Sequence, residues 1–311
     1  MQEKTSGKGP LSVSVIGFGQ MGAQISQVFA EFGYNVLGYD VDDKRLALGL
    51  NLIKSGKYGI ENSIKKGRVT EEQAQKMIAG IATTSSLEEA LSGSEFVLEA
   101  AIEDLDTKKR IFEKAGELSS ENAVLATNTS TISISKIAQG ISSPEKRKRL
   151  AGMHFFNPPQ VMKLVEVVRT QDSSEEIIEE IKRISESLGK CPVTVLDYPG
   201  FVANRIGISV FAEASSLLEK GIANIRDIDL SMRLGYGYPV GPFELGDIVG
   251  LDARLRNMEA LYAETNDERF RPPELLRRLV SSGYLGDPRN KPGSKGGYYE
   301  YFQLKRPAEK L

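Results

Sequence analysis

The sequence is short of the residues that tie a chain together or hold a metal. Its single cysteine, Cys191, excludes an intrachain disulfide and fits a reducing compartment. With only one histidine, His154, a structural zinc held by His and Cys is out of reach, and no metal is expected. No run of about 18 apolar residues is present to span a bilayer. Charge of one sign is also missing: 40 Lys and Arg stand against 42 Asp and Glu. No global field therefore draws the chain onto nucleic acid or anionic lipid, and any bound anion must be met by a local site. Residues Met1 to Pro10 have neither the apolar core of a signal peptide nor the Arg/Ser richness of an organelle presequence. They read as a flexible lead-in, and the expectation is a soluble, cytoplasmic protein.

The rest is ordinary globular composition, 40% hydrophobic and 26% charged. At roughly 150 residues per domain, 311 residues imply about two domains. Leu11 to Ile16 is a short apolar run that meets Gly17. A helical pattern through Met21, Ile25, Val28, Phe29 and Phe32 then ends at Gly33, and Asn35 to Tyr39 is a second apolar run. This is a βαβ unit. Further strands are expected at Gly80 to Thr83, Glu95 to Ala100, Ala123 to Thr127, Leu150 to His154, Lys163 to Val168 and Pro192 to Leu196. Helical patterns between most of them, clearest in Ser174 to Leu188, argue for an α/β doubly wound sheet with helices on both sides.

Two segments break that alternation. Lys44 to Ile81 is Lys-rich, helical and interrupted by Gly56, Gly59 and Gly67, and reads as a helical hairpin inserted in the sheet domain. After Asp197-Tyr198-Pro199-Gly200 helical patterns take over, at Phe201 to Lys220, Asn224 to Leu234, Phe243 to Thr265 and Pro273 to Ser282. The organisation expected is a sheet domain over residues 11–198 and an all-α domain over 199–311.

Gly17-Phe18-Gly19-Gln20-Met21-Gly22 is a GxGxxG placed after a strand and at the start of a helix. The first glycine allows the tight turn, the second a close approach of backbone to a pyrophosphate, and the third close packing of helix on strand. Asp40, at the end of the second strand, is placed to accept both hydroxyls of a ribose and to repel a 2'-phosphate, which favours NAD over NADP. The alternative is a glycine turn with Asp40 capping the next helix.

A second constellation joins His154 and Glu166. A glutamate inside the apolar run Lys163 to Val168 is costly unless paired. A proline-marked turn at Asn157-Pro158-Pro159 can bring it back onto the histidine, giving an imidazole oriented by a carboxylate for general acid/base work. The alternative is a histidine that is simply a satisfied polar residue.

Five stretches together resemble the 3-hydroxyacyl-CoA dehydrogenases: Gly17 to Gly22 with Asp40, Ala126 to Ser130, His154 to Val168, Gly200 to Arg205 and Gly237 to Leu245. The resemblance runs from Leu11 to about Tyr301, in order and at matching spacing. It implies a Rossmann-type NAD-binding domain, a helical C-terminal domain that forms a homodimer, and reversible oxidation of a (3S)-3-hydroxyacyl-CoA to the 3-ketoacyl-CoA, of the short-chain, 3-hydroxybutyryl-CoA type. Acetoacetyl-CoA is then a substrate of the reverse reaction. By motif match it places Ser130, His154, Glu166 and Asn204 in the active site. Gly17, Gly19, Gln20, Met21, Gly22, Asp40, Glu103, Lys108, Asn128 and Asn157 fall around NAD, and Ser63 and Lys66 at the coenzyme A phosphates.

Each carried-over residue has a plainer reading. Ser130 would cap a helix beginning near Ile132, Asn204 would be a solvated helix position, and Glu103 with Lys108 a surface ion pair. The coenzyme A contacts depart from the family's spacing, because counting back from Lys66 meets Gly59 where a serine is usual. The Pro-rich stretch from Gly286 to Gly297 is longer than the family's turn. Two rivals remain: a hydroxyacid dehydrogenase of another class, which would use a lysine where this chain has His154 and Glu166, and a non-catalytic, crystallin-like NAD-binding homologue.

Overall fold

The computed structural model of the chain describes residues 12–306. The lead-in Met1 to Pro10 and the first residue of the expected first strand, Leu11, lie outside them. The described residues separate into two compact units, one ending at Tyr198 and the other beginning at Pro199.

The first unit is built on eight strands: β1 Ser12–Ile16, β2 Asn35–Tyr39, β3 Ile81–Thr84, β4 Phe96–Glu99, β5 Val124–Thr127, β6 Leu150–Phe155, β7 Leu164–Arg169 and β8 Cys191–Leu196. They form one sheet in the order β3-β2-β1-β4-β5-β6-β7-β8. Every pair is parallel except β6 with β7, which is antiparallel. The chain's course reverses between β1 and β4, so a crevice opens beyond their carboxyl ends, where ligands of such sheets bind.

Helices cover the sheet because their apolar residues recur at helical spacing. In α1, Gln20–Glu31, the residues Ile25, Val28 and Phe29 are buried, and the helix stops where Gly33 takes a φ of 83°. In α9, Glu175–Ser187, Ile177, Ile178, Ile181 and Ile184 are buried, and the Ser174 side chain caps the start. Both pack into one core with Val13, Val15, Phe96 and Val165, and each such side chain fully buried contributes roughly 1.5–3 kcal/mol. Between these two helices lie α5 Leu87–Leu91, α6 Leu105–Leu118, α7 Ile134–Ala138 and α8 Pro144–Arg147 on the crossovers.

The insertion between β2 and β3 is helical, in three segments: α2 Asp43–Ser55, α3 Ile60–Lys65 and α4 Glu71–Ala79. Its first turn is tight enough that a Cβ on Gly59 would sit 2.8 Å from the Gly56 nitrogen and the Ile53 oxygen. A Thr70–Gln73 capping box restarts the chain as α4. Phe18, Leu46, Ile53, Ile60 and Met77 form a separate small core beneath it.

The second unit is helical: α10 Ala203–Glu219, α11 Ile225–Tyr236, α12 Pro242–Val249, α13 Leu251–Thr265, α14 Glu274–Ser281 and α15 Tyr298–Tyr301. The single helix expected over Phe243 to Thr265 is two, because Gly250 adopts a φ of 106° that breaks the helical course. Phe211, Phe243, Tyr298 and Tyr299 fill its core. The stretch Gly286 to Gly297 folds back on this unit: Gly286 bridges to Gly296, the Asp287 N–H donates to the Asp247 carbonyl, and Lys291 pairs with Asp252 at 2.7 Å. Among the described residues, no helix is long and apolar enough to cross a membrane.

Candidate active site

The glycine motif has the geometry its sequence demands. Gly17, just past β1, has a φ of 98°, and a Cβ there would lie 2.6 Å from the Ala101 nitrogen. A Cβ on Gly22 would come within 1.8 Å of the Gly17 oxygen, whereas Gly19 faces open space. The start of α1 has no side-chain cap and no acid in its first turn. The backbone N–H groups around Gln20 and Met21, and the positive helix end, are therefore left for an anion.

Asp40 is nearly buried; its Oδ2 accepts from the Phe18 N–H at 2.9 Å and its Oδ1 from the Val41 N–H at 2.8 Å. It does not cap α2, a task done by Asp42, which accepts from the Arg45 N–H. Asp40 thus stands at the mouth of the glycine loop, locked in orientation. A bare helix start, a glycine cradle and a fixed carboxylate at the end of β2 fit the pyrophosphate and ribose of NAD.

His154 and Glu166 occupy directly opposed positions on the antiparallel strands β6 and β7. Opposed residues point to the same face of the sheet, and the Nδ1 of His154 lies 2.9 Å from the Oε2 of Glu166. Both side chains are buried. The Phe156 ring lies 4.7 Å from the imidazole centroid to centroid. Among the described residues, the only antiparallel step in the sheet is the one that creates this pair.

The loop after β5 is gripped from two sides. Glu103, partly exposed, receives the Thr129 hydroxyl at 2.6 Å and the backbone N–H groups of Ser130 and Thr131 at 2.9 and 3.0 Å, all on Oε1. Burial pushes the Glu103 carboxyl up, but the nearby ammonium of Lys108 and the hydrogen bonds from this loop together hold it below its usual range. Beyond Ser130, the Asp197 carboxylate accepts from the Ser133 hydroxyl and from the N–H groups of Ile134 and Ser135. Ser130 is not a helix cap; Ser133 caps α7, accepting from the Lys136 N–H. Asn128 accepts from the Phe155 N–H at 2.8 Å, linking this loop to the end of β6.

Lys108 is not a surface residue. It is 1% exposed, with Nζ 2.6 Å from Glu99 and 3.3 Å from Glu103. Glu99, the last residue of β4 and 0% exposed, also accepts from the Thr127 hydroxyl and the Ala101 N–H. Sequence reasoning missed Glu99, although the signal that singled out Glu166, an acid closing an apolar strand, is present in Phe96-Val97-Leu98-Glu99.

Ser63 and Lys66 line one narrow cleft with Lys57, Tyr58, Asn62, Arg68, Gln27 and Gln160. The Ser63 hydroxyl donates to the Gly59 carbonyl at 3.1 Å. A serine at position 59 would clash with the turn into α3, so the hydroxyl of this cleft comes from position 63. Asn157 is exposed just beyond β6. Asn204 lies in the second unit, as the second residue of α10, partly buried.

Comparison with known proteins agrees with this architecture. The family profile described as "3-hydroxyacyl-CoA dehydrogenase, NAD binding domain" matches residues 12–198, and "3-hydroxyacyl-CoA dehydrogenase, C-terminal domain" matches residues 200–300. A probable 3-hydroxybutyryl-CoA dehydrogenase of Bacillus subtilis is 37% identical over 93% of this chain and 96% of its own length. The human mitochondrial hydroxyacyl-coenzyme A dehydrogenase is 36% identical over 93% of this chain and 90% of its own. The crystal structure of (S)-3-hydroxybutyryl-CoA dehydrogenase from Ralstonia eutropha superposes with a TM-score of 0.82 at 38% identity, covering 89% of this chain and 96% of that one. With the two family profiles together matching residues 12–198 and 200–300, the chain belongs to the 3-hydroxyacyl-CoA dehydrogenase family.

Proposed function

We propose that the chain catalyses the reversible, NAD-dependent oxidation of (3S)-3-hydroxyacyl-CoA thioesters to 3-ketoacyl-CoA, with short acyl chains preferred. The observation that carries this reading is the buried His154–Glu166 pair, 2.9 Å apart on opposed strand positions. NAD, held at the Gly17 to Gly22 loop and Asp40, supplies the acceptor for the hydride that leaves C3 of the substrate. Nδ1 of His154 is engaged by Glu166, so Nε2 exchanges the proton of the substrate hydroxyl. Glu166 fixes the ring and stabilises its charge once that proton arrives. Ser130, presented by the loop on Glu103, and Asn204 donate hydrogen bonds to the substrate oxygens where negative charge develops.

The cleft of Ser63, Lys66, Lys57 and Arg68 supplies hydroxyl and cationic donors of the kind that hold the coenzyme A phosphates. A paired histidine in place of a catalytic lysine speaks against the other hydroxyacid dehydrogenases, and the intact set of four active-site residues against an inactive crystallin-like protein. We also assign a homodimer through the helical unit, supported by the exposure of Ile206, Leu234, Tyr236, Ile248 and Val249, and a cytoplasmic location.

The test is NADH-dependent reduction of acetoacetyl-CoA by the native chain and by His154→Gln, alongside ketoacyl-CoA substrates of increasing length. Near-native kcat in the variant would remove His154 from the reaction. Light scattering decides the dimer, which a monomer mass at micromolar concentration would refute.

A further inference from the structure

We infer that Glu99 is a positioning residue for this reaction, setting the Ser130 loop through Lys108 and Glu103. The inference rests on the proposed reaction and adds to it a residue that touches neither substrate nor cofactor. Three carboxylate and ammonium groups form a line: Glu99 to Lys108 at 2.6 Å and Lys108 to Glu103 at 3.3 Å. At its far end Glu103 gathers the donors of Thr129, Ser130 and Thr131. At its near end Glu99 is held by the Thr127 hydroxyl at 2.6 Å and the Ala101 N–H at 2.7 Å.

A buried ammonium is costly unless it is paired or fully hydrogen-bonded. Lys108 is almost wholly enclosed, so Glu99, the more deeply buried of its two acids, fixes where the Nζ stands. That position in turn dictates where Glu103 holds its carboxylate, and hence where Ser130 stands relative to His154. Lys108 therefore serves as the middle of a strut, its ammonium shared between two protein carboxylates. The same β4 end presses Ala100 and Ala101 against Gly17, but that contact is made by backbone and survives changes to the Glu99 side chain.

The deciding experiment compares Glu99→Gln with the double variant Glu99→Gln/Lys108→Met. Thermal midpoint, the NADH dissociation constant from fluorescence quenching, and kcat and KM for acetoacetyl-CoA are measured on each. In Glu99→Gln the amide oxygen still takes the Ala101 N–H, so NADH binding stays near wild type, while loss of the charge partner lets Lys108 and Glu103 shift. A displacement near 1 Å at the loop lowers kcat by roughly 10- to 100-fold.

Removing both charges in the double variant relieves the unpaired ammonium and restores the thermal midpoint, yet kcat stays low because Glu103 has lost its cation. The inference is overturned if the double variant regains wild-type kcat along with its midpoint, which would make the pair structural only, or if a folded Glu99→Gln keeps wild-type kcat. Should Glu99→Gln fail to fold, Glu99→Asp, which keeps the charge and shortens its reach, is measured in its place, and a folded Glu99→Asp with wild-type kcat overturns the inference. The unmodified chain is assayed first: its inactivity on acetoacetyl-CoA strikes the proposed reaction, whereas an active wild type with an equally active double variant strikes only the role of Glu99.

Discussion

Two pairs of buried acids, Glu99 with Glu166 in the sheet unit and Asp229 with Asp247 in the helical unit, are set among different kinds of partner. In the sheet unit Glu99 and Glu166 face side chains that carry or acquire positive charge, Lys108 and His154. In the helical unit Asp229 and Asp247 each hold a helix start: Asp229 accepts from the Phe243 and Glu244 N–H groups of α12 and from the Tyr299 hydroxyl, and Asp247 accepts from the Tyr298 N–H of α15 and from the permanently charged Arg306. A carboxylate set against an ionisable partner responds when that partner changes charge. One set against helix N–H groups has partners that never change, and its work is to fix where two helices begin. On the proposed reaction, the His154–Glu166 pair of the sheet unit exchanges a proton, whereas Asp229 and Asp247 hold helix starts in place.

The comparison is broken most severely at His154. His154→Gln should keep the fold and NADH binding while lowering kcat by roughly 10² to 10⁴, the share general acid/base catalysis supplies. Glu166→Gln, which keeps the strand pairing but removes the negative charge beside the ring, should lower kcat less than loss of the imidazole itself. If it were as inert as a surface substitution, the pair would be no more reactive than the aspartates of the helical unit. Both values come from steady-state assays in each direction.

A smaller effect is expected at the cofactor. A 2'-phosphate would meet the Asp40 carboxylate, which Phe18 and Val41 hold in place and which cannot swing away. Charge-assisted hydrogen bonds to a ribose diol are worth about 1.5–3 kcal/mol, so NADH should exceed NADPH in kcat/KM by roughly 10- to 100-fold. Equal efficiencies would show that Asp40 serves the glycine loop alone.

Much of this was legible in the residues, and the boundary of legibility is physical. Strand and helix positions in the sheet unit follow from apolar periodicity, and the His154–Glu166 pairing from the cost of an acid inside an apolar strand. The same cost marks Glu99, but its partner Lys108 lies on a helix, where a lysine reads as solvated. Only the tertiary fold shows that this helix turns that lysine inward. The division of Phe243 to Thr265 into two helices was hidden for a similar reason. Apolar spacing continues across Gly250, and the break depends on a backbone conformation that a single glycine permits without announcing.

The smallest expected effect tests the helical unit's side of the comparison. Burial pushes the Asp247 carboxyl up to about 7 and that of Asp229 up to about 6, against the lowering influence of the N–H groups they accept from. Because both values are raised on folding, the folded chain binds more protons than the unfolded one between about pH 4 and about pH 7. Their contribution to stability is therefore complete below the unfolded value and is lost as pH rises through the folded ones. For Asp247 the loss is on the order of 1–3 kcal/mol, at about 1.4 kcal/mol per unit and with its partners compensating in part. At about 2–4 °C per kcal/mol for a chain of this class, the thermal midpoint should fall by several degrees between about pH 5 and about pH 8. Asp247→Asn imitates the protonated carboxyl at every pH, keeping an oxygen for the Tyr298 N–H. The variant should share the wild-type midpoint at the acid end and fall less steeply toward the alkaline end, with kcat unaltered. Parallel midpoint curves for the two proteins would show that the helix N–H groups and Arg306, 3.2 Å away, fully offset the burial of this charge, and the helical unit would then be as indifferent to pH as its backbone partners.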